Sequence, residues 1–403
     1  MSRMFRLVHS AWIAFQLHAP PFVHKAVLPR LHELKEVGRL LAWPFLPVYQ
    51  MQGEGQGGPL TVHYVGLGFA KPFLRSILFA EKPAERFIGR IPLWRYGRIA
   101  SLAPSDLIIV EAAKHVVRLL PPASALVAPD MVDHVLDVRG SWQDVCGRFH
   151  NKERRDILRL KRKYGYECEL SPAPCDLDKF YRQMYAPTAK SRHGELSSPM
   201  SINQVRQYCR AGFLFRTTRQ GDWVAGLICH RQHRTLIFDF VGVRNGDARL
   251  VQEGAEAATY YDVIQWANQQ GYDAVSFLGS GSRLNSGLFQ HKRRWGTTIS
   301  VPSDLHRWLW IRVCENTPGT SCFLKDNPFV VIDRAGELHG LIIVDDPDNV
   351  PAETQKEWIK RYATPGLTSL LIRPSEHFVA QPLAGDDHQI LLSKEPPSGE
   401  SDE

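Results

Sequence analysis

The sequence has no uninterrupted apolar run of 18 or more residues, the length that a membrane-spanning helix needs. The best candidate, Leu7–Val23, contains two histidines and a pair of prolines. It is also a poor signal peptide, because no A-x-A-type cleavage site follows an apolar run. We therefore expect a cytoplasmic protein without integral membrane contact.

Motifs for several common chemistries are missing as well. The seven cysteines are scattered and form no C-x-x-C pair, which argues against a zinc ribbon and a thioredoxin motif. There is no G-x-S-x-G turn and no H-E-x-x-H helix. The Gly-rich loop over 279–287 matches neither of the common phosphate-binding patterns. We expect no metal site.

What remains is an ordinary globular composition. The chain has 403 residues, of which 44% are hydrophobic and 23% charged, with ten tryptophans available for a core. This length suggests two or three domains. The formal net charge, 49 − 42 = +7, permits an anionic partner without demanding one.

A basic helix is predicted in the middle of the chain. Ser141 with Asp144 forms a capping-box-like start, and apolar residues at helical spacing continue to a stop at Gly165. Eight Lys or Arg but only two acidic residues lie between Arg148 and Lys163. This pattern is typical either of a solvated face or of a surface that attracts a phosphate-bearing ligand, acidic lipid or RNA.

Paired strands follow this helix. Val224–Cys229 and Thr235–Val243 are apolar runs separated by a polar turn, which predicts a hairpin. Strand alternation places Asp239 on the same face as Ile237 and Val241. A carboxylate within such a run needs a partner or a raised pKa.

A helix over 252–270 and a short strand over 273–278 complete the order of elements. Several short segments fall in a recognisable sequence along it, namely Lys152–Asp156, Phe180-Tyr181, Met184–Thr188, Arg192–Gly194, Val224–Gly226, Gly287–Phe289 and Lys292–Gly296. Over roughly 105–301 the chain resembles the GNAT superfamily of acyl-CoA N-acyltransferases. The resemblance is to the branch with FemAB-like peptidyltransferases and the cellulose-biosynthesis-type acetyltransferase domain.

The resemblance implies an α/β (α+β) fold, with a GNAT-like mixed sheet flanked by helices and two tandem GNAT-like halves. We expect a degenerate GNAT-like half over 1–140 and the acyltransferase domain over 141–303. A small α/β extension would cover 304–390, and a disordered tail 391–403.

The resemblance also implies a function, the transfer of an acyl group, most simply acetyl, from acyl-CoA to an amine. The acceptor would be a small molecule or a glycan precursor, in polysaccharide or cell-envelope synthesis. Backbone amides of Val241, Gly242 and Val243 would polarise the thioester carbonyl. Arg249 and Gly254, at the start of the following helix, would receive the CoA pyrophosphate.

Candidate side chains for proton transfer are Asp239, His193 and Tyr261. Asp239 or His193, or else Glu253, would deprotonate the amine, and Tyr261 or its neighbour Tyr260 would protonate the leaving thiolate. Each has a structural alternative: pairing of Asp239 with a nearby Arg or Tyr, simple solvation of His193, and core packing of Tyr261. The predicted substrate-binding residues are Arg192, Tyr185, Lys292 and Arg155.

Two other functions stay open. A FemAB-like transferase would take its acyl group from aminoacyl-tRNA and bind RNA through the basic helix. A non-catalytic binding protein could keep the fold without the chemistry. The segment Arg249–Ala255 motivates this last reading, because it departs from the Q/R-x-x-G-x-G/A loop of many GNAT enzymes.

Overall fold

A computed structural model describes residues 45–92, 104–118, 125–171, 176–193, 199–302, 307–375 and 388–392, with single residues between 13 and 34 and at 95 and 120. The predicted disordered tail and the apolar segment near the N-terminus lie largely outside this part of the chain. No helix among the described residues is long and apolar enough to cross a membrane.

The strands are numbered in chain order. They are β1 Phe45–Gly55, β2 Gly58–Gly66, β3 Ala84–Pro92, β4 Leu107–Ala113, β5 Ala125–Pro129, β6 Met131–Asp137, β7 Tyr166–Leu170, β8 Gly212–Arg219, β9 Asp222–Gln232, β10 Thr235–Val243, β11 Ala274–Gly281, β12 Thr298–Ser300, β13 Arg307–Val313, β14 Phe329–Ile332, β15 Leu338–Val344, β16 Ser369–Pro374 and β17 His388–Leu391.

The α-helices are α1 Lys71–Leu78, α2 Lys114–Val117, α3 Trp142–Gly147, α4 Asn151–Tyr164, α5 Asp176–Phe180, α6 Ala186–His193, α7 Ile202–Arg210, α8 Ala248–Gln252, α9 Ala255–Gln269, α10 Gly287–Arg293, α11 Pro318–Asp326 and α12 Ala352–Tyr362. A π-helix, Tyr181–Tyr185, joins α5 to α6, and a 3₁₀ turn, Arg244–Gly246, follows β10. The predicted α/β class is confirmed, since mixed sheets are flanked by helices.

Two compact units share the chain, and both are discontinuous in sequence. They consist of Met1–Val27, His134–Leu278 and Lys292–Thr298 for the first unit, and Leu28–Asp133, Gly279–His291 and Ile299–Glu403 for the second.

The second unit contains a six-stranded sheet, β3-β1-β2-β4-β13-β5, and a four-stranded sheet, β14-β15-β16-β17. β13 lies between β4 and β5 and pairs antiparallel with both. The predicted separate extension over 304–390 differs from this arrangement, because residues 307–313 complete the sheet that residues 45–129 begin.

The other sheet has seven strands in the order β12-β6-β11-β10-β9-β8-β7. Strands β7 to β10 form antiparallel pairs, and the predicted hairpin of β9 and β10 is confirmed. One face of the sheet packs on α9, and the other on α5, the π-helix and α7.

The helices on the α9 face begin and end at residues that differ from the prediction. The capping box of Ser141 with Asp144 and the left-handed stop at Gly165 are as expected, but α3 and α4 are separate helices. The predicted helix over 252–270 corresponds to α9, which begins at Ala255. The short α8 ends at Gln252, and Gly254, at a φ of +85°, lies between the two helices. A left-handed residue at this point lets α9 begin in a new direction.

Aromatic side chains fill the core between the sheet and α9. Phe238 of β10 stacks on Tyr260 of α9, with ring centroids 5.2 Å apart, and the fully buried Trp295 lies edge-on to Tyr260. A Cβ on the next residue, Gly296, would lie 2.1 Å from the carbonyl oxygen of Arg148. The Trp-Gly pair that supports the family resemblance therefore has a packing role.

A buried carboxyl group lies where β2 and β4 end their parallel pairing. Glu111 is 2% exposed, and its Oε2 accepts hydrogen bonds from the Ala70 amide, at 3.1 Å, and from the Tyr64 hydroxyl. Burial raises the pKa of Glu111 to about 6, although the bond from Ala70 opposes the shift. The folded chain therefore holds this proton more tightly than the unfolded chain.

Glu111→Gln removes this titration. Because the folded pKa is raised, the free energy of unfolding of the wild type should fall as pH rises from about 4.5 to above 6, by up to about 2 kcal/mol. The variant lacks this fall, so its free energy of unfolding should rise relative to that of the wild type over this pH range. Urea unfolding of both proteins from pH 4.5 to 7.5 measures the difference, and two parallel pH curves would contradict the prediction.

Candidate functional site

The two central parallel strands pair over a short stretch and then separate. β10 and β11 are in register only at Thr235–Ile237 with Ala274–Ser276. After that β10 has a bulge between Phe238 and Phe240, and β11 reaches Leu278 at a left-handed φ of +60°. Beyond Ile237 β10 therefore has an open edge, in the sense that β11 does not pair with it, and the backbone groups there need partners of another kind.

The bulge also changes which side chains share a face. Val241 packs with Phe238 in the cluster beneath α9, whereas Phe240 packs with α5, the π-helix and α7. The predicted alternation, which placed Asp239 on the face of Val241, is wrong at this point. The extra residue in β10 shifts the two-residue pattern by one position.

Asp239, at the bulge, forms a buried pair with His230 of β9. Its side chain is 4% exposed, and Oδ2 lies 2.7 Å from His230 Nδ1. Burial raises the pKa of the Asp239 carboxyl, while the hydrogen bond from His230 lowers it. Because Nδ1 faces the carboxylate, Nε2 is the ring nitrogen that can exchange a proton with a ligand.

The surroundings of this pair are largely aromatic. The ring of Tyr208 lies edge-on to both His230 and Phe240, with centroids 5.6 and 5.2 Å away. Sequence reasoning missed His230, although the hairpin contained a signal for it. His230 is in register with Ile237, so Asp239, two residues further on, is its diagonal neighbour.

Two backbone amides at the end of β10, those of Val243 and Val241, differ in their partners. The Thr188 hydroxyl of α6 accepts the Val243 N–H at 2.9 Å and donates to the Val243 carbonyl at 3.2 Å. Val241 presents its amide on the same edge, because backbone groups repeat every two residues along a strand. Of the three predicted backbone donors, Val243 is thus bonded to Thr188, whereas Val241 has its amide on the open edge.

Gly242 lies between these valines, against the π-helix. A Cβ at this position would be 2.5 Å from the Met184 carbonyl carbon and 2.6 Å from the Tyr185 nitrogen. The glycine is thus required by the chain itself, which approaches β10 at this face. The predicted role of the Gly242 amide, polarising the thioester carbonyl, stays a prediction.

The start of α9, predicted to receive a pyrophosphate, is surrounded by the protein's own groups. A Cβ on Gly254 would lie 2.9 Å from Leu160 of α4. Arg249 is 80% exposed and bonds Glu253 at 2.9 Å, while Arg219 bonds the other oxygen of Glu253 at 2.7 Å. A phosphate at this point would have to compete with Glu253 for both guanidinium groups.

Arg192 reaches the same helix from α6. Its guanidinium pairs with Glu256, a buried residue in the first turn of α9. Tyr260, one turn further on, is buried, and burial raises the pKa of its phenol well above the usual value. The backbone of His193 belongs to α6, but its side chain lies outside the described part, so its catalytic role stays a prediction.

Tyr261 faces away from the β10 edge, into the core beneath α3. Its ring lies 5.2 Å from Trp142 and 6.4 Å from Phe149, edge-on to both, and its hydroxyl is 3.9 Å from Cys146 Sγ. Burial raises the pKa of Tyr261 to about 12. Its role as the acid stays a prediction that these contacts do not favour.

The remaining predicted substrate-binding residues do not converge. Tyr185 accepts the Met200 amide at 3.2 Å and lies against Phe240, on the same side of the sheet as His230. Lys292 is 7% exposed and donates to the Leu278 carbonyl at 3.2 Å. Arg155 is on the solvent face of α4. Of these, Tyr185 is the one placed near the Asp239–His230 pair.

One group of potential metal ligands is present among the described residues. Single ligand atoms of Asp333, Glu337 and His339 lie within 4.8 Å of one another. Asp333 also accepts the Glu337 amide at 2.8 Å, which explains its place in the β14–β15 turn. The expected absence of a metal stays a prediction.

No protein-family model and no curated protein matches the sequence. Among solved structures, FemX is 12% identical, covering 70% of this chain and 90% of its own, with a TM-score of 0.38. L-PGS from Bacillus licheniformis is 11% identical, covering 68% and 87%, with a TM-score of 0.33. A GCN5-related N-acetyltransferase from Sphaerobacter thermophilus is 13% identical, covering 62% and 72%, also with a TM-score of 0.33. Similarity at this level carries no information about the reaction of this chain.

Replacement of Gly242 tests the close packing at the end of β10. Gly242→Ala should lower the free energy of unfolding by about 1–3 kcal/mol, because the new methyl group must displace the π-helix. Gly147→Ala is the matched control, since nothing lies within 4 Å of a Cβ there. Urea unfolding compares the two variants, and equal stability of both would contradict the packing described.

Proposed function

We propose that this chain is a GNAT-type acyltransferase, which moves an acyl group from a thioester such as acetyl-CoA to an amine. The observation that carries the proposal is the open edge of β10 beyond Ile237, with the amide of Val241 on it. A preorganised N–H stabilises the negative charge that develops on a carbonyl oxygen during acyl transfer. A thioester lying along this edge would place its carbonyl within reach of that amide.

The Asp239–His230 pair supplies the base in this proposal. The acceptor must lose a proton so that its nitrogen lone pair can attack the thioester carbon. His230 Nε2 takes that proton, and Asp239 orients the ring and stabilises the imidazolium that forms. The carbon–sulfur bond then breaks, and the thiolate leaves with the electron pair and takes the second proton that the attacking nitrogen loses as it becomes the amide. Asp239 is therefore a positioning residue rather than the base itself.

The donor and the acceptor follow from the family resemblance alone. Acyl-CoA, an acceptor in polysaccharide or cell-envelope precursors, the cellulose-biosynthesis-type branch and a cytoplasmic location all belong to the proposal. A pyrophosphate at the start of α9 would gain the helix dipole and would take Arg249 and Arg219 from Glu253.

One observation favours a second candidate, an aminoacyl-tRNA-dependent transferase. Basic side chains form an exposed stripe along one face of α4, at helical spacing: Lys152, Arg155, Arg159, Arg162 and Lys163. Within the described residues Arg159 pairs with Asp156 at 3.2 Å, which only partly neutralises the stripe. A basic stripe along one helix face is the electrostatic feature expected of a nucleic-acid-binding surface.

Replacement of His230 tests the proposed base. His230→Gln should lower kcat/KM for acetyl-CoA-dependent acylation by about 10²–10⁴-fold, because the proton acceptor is lost. Free-thiol release across a panel of amines measures the rate. His233→Gln, in the turn of the same hairpin, is the control and should keep the wild-type rate.

Asp239→Asn tests whether Asp239 orients the His230 ring, because asparagine has nearly the same size as aspartate and should keep the local packing. It should lower kcat much more than it raises KM, since it disturbs the ring and not the binding surface. Unchanged melting temperatures for all three variants show that the fold is intact. Full activity of His230→Gln, or no thiol release by the wild type with any amine, would contradict the proposal.

The RNA alternative has its own test on α4. Arg155→Gln combined with Arg162→Gln should weaken tRNA binding and reduce the slope of log affinity against log salt by about 2, because two phosphate contacts are lost. Arg139→Gln, an exposed site that pairs with Asp137, is the control. Fluorescence anisotropy with labelled tRNA measures both affinity and slope. Absent or salt-independent binding removes this candidate.

A further inference from the structure

A polar cavity of about 270 Å³ lies in the first unit, away from the Asp239–His230 pair. Lys179 of α5 and Gln183 of the π-helix line one side of it. Arg216 and Trp223, from β8 and β9, line the other, and Arg244 reaches it from the 3₁₀ turn after β10. Three cationic side chains thus surround a space that is large enough for a small molecule.

Arg216 bonds Glu169 through its Nε, at 2.5 Å, but the two carboxylates that line the cavity lie too far from the arginines to hydrogen-bond. Arg216 Nη1 is 3.8 Å from Asp176, and Arg244 Nη1 is 3.6 Å from Asp222. Separations beyond about 3.5 Å leave an ion pair without a hydrogen bond. The guanidinium N–H groups at the cavity therefore still have donor capacity, and Asp222, 73% exposed, can turn into solvent.

Lys179 and Gln183 have no carboxylate or carbonyl partner among the described residues. The Lys179 ammonium instead lies 5.4 Å from the centroid of the Trp223 ring. That ring is held in place, because its N–H donates to the Ala225 carbonyl at 2.7 Å. Both the Lys179 and the Gln183 side chain can donate hydrogen bonds into the cavity, whereas both aspartates already face a guanidinium.

We propose that this cavity binds a small oxyanion, namely the phosphate or carboxylate group of a metabolite. An acceptor-rich group would satisfy Lys179, the Gln183 amide N–H and the guanidinium N–H groups of Arg216 and Arg244 that bond no carboxylate. Arg forks suit the planar edge of either anion, and the Lys ammonium adds a point charge. The site is independent of the proposed acyl transfer, since neither Val241 nor the Asp239–His230 pair lines it.

Isothermal titration of the full chain with sodium pyrophosphate, inorganic phosphate and succinate tests the proposal. At least one of these anions should bind saturably at a single site, and its affinity should fall as salt is added. Lys179→Gln and Arg244→Gln should each weaken that binding about tenfold, because each removes a charged hydrogen bond. Tighter binding of pyrophosphate would identify a phosphate group as the ligand, and tighter binding of succinate a carboxylate group.

Arg182→Gln is the matched control, because Arg182 is an exposed cation of the same π-helix that does not line the cavity. It should bind within twofold of the wild type. Arg249→Gln should also bind inorganic phosphate and succinate normally, which separates this site from the start of α9. The proposal is overturned if none of the three anions binds saturably. It is equally overturned if Arg182→Gln or Arg249→Gln loses as much affinity as Lys179→Gln.

Discussion

The single extra residue in β10 is the feature on which the site depends. A bulge at Asp239 increases the local twist, and the parallel pairing with β11 ends two residues earlier, at Ile237. The same bulge turns a carboxyl group toward His230 and moves Val241 to the α9 face. An open strand edge and a buried acid–imidazole pair therefore arise from one change in the backbone.

Burial explains why Asp239 and His230 occur together. A carboxylate that is 4% exposed would be costly without a partner, and the imidazole 2.7 Å away provides a hydrogen bond and a potential positive charge. The aromatic rings of Tyr208 and Phe240 limit water around the pair, which strengthens their interaction. In the proposed function, the free ring nitrogen of this pair would take the proton that the amine loses.

Local patterns in the sequence were sufficient for much of this fold. The hairpin of β9 and β10, the capping box at Ser141 and the left-handed stop at Gly165 follow from turn chemistry and periodicity. The bulge at Asp239 could not be predicted in this way, because the sequence of β10 reads as a regular strand with no sign of an extra residue. The placement of β13 between β4 and β5 also could not be predicted, since pairing across about 200 residues leaves no local pattern.

The site residues show the same division. Asp239 could be selected because a charge inside an apolar run needs an explanation, and its partner could have been found from the hairpin register. Lys292 and Trp295-Gly296 support the family resemblance, but packing and close backbone contacts account for much of them. Thr188 occupies the Val243 amide through tertiary contact alone.

The most direct test of the account is hydrogen exchange of the β10 edge with and without acetyl-CoA. Binding of the thioester along the open edge should slow exchange in the segment 238–244, with the largest effect at the Val241 amide. Unchanged exchange of this segment at saturating acetyl-CoA, with protection elsewhere or nowhere, would contradict the claim that this edge is where the acyl donor binds.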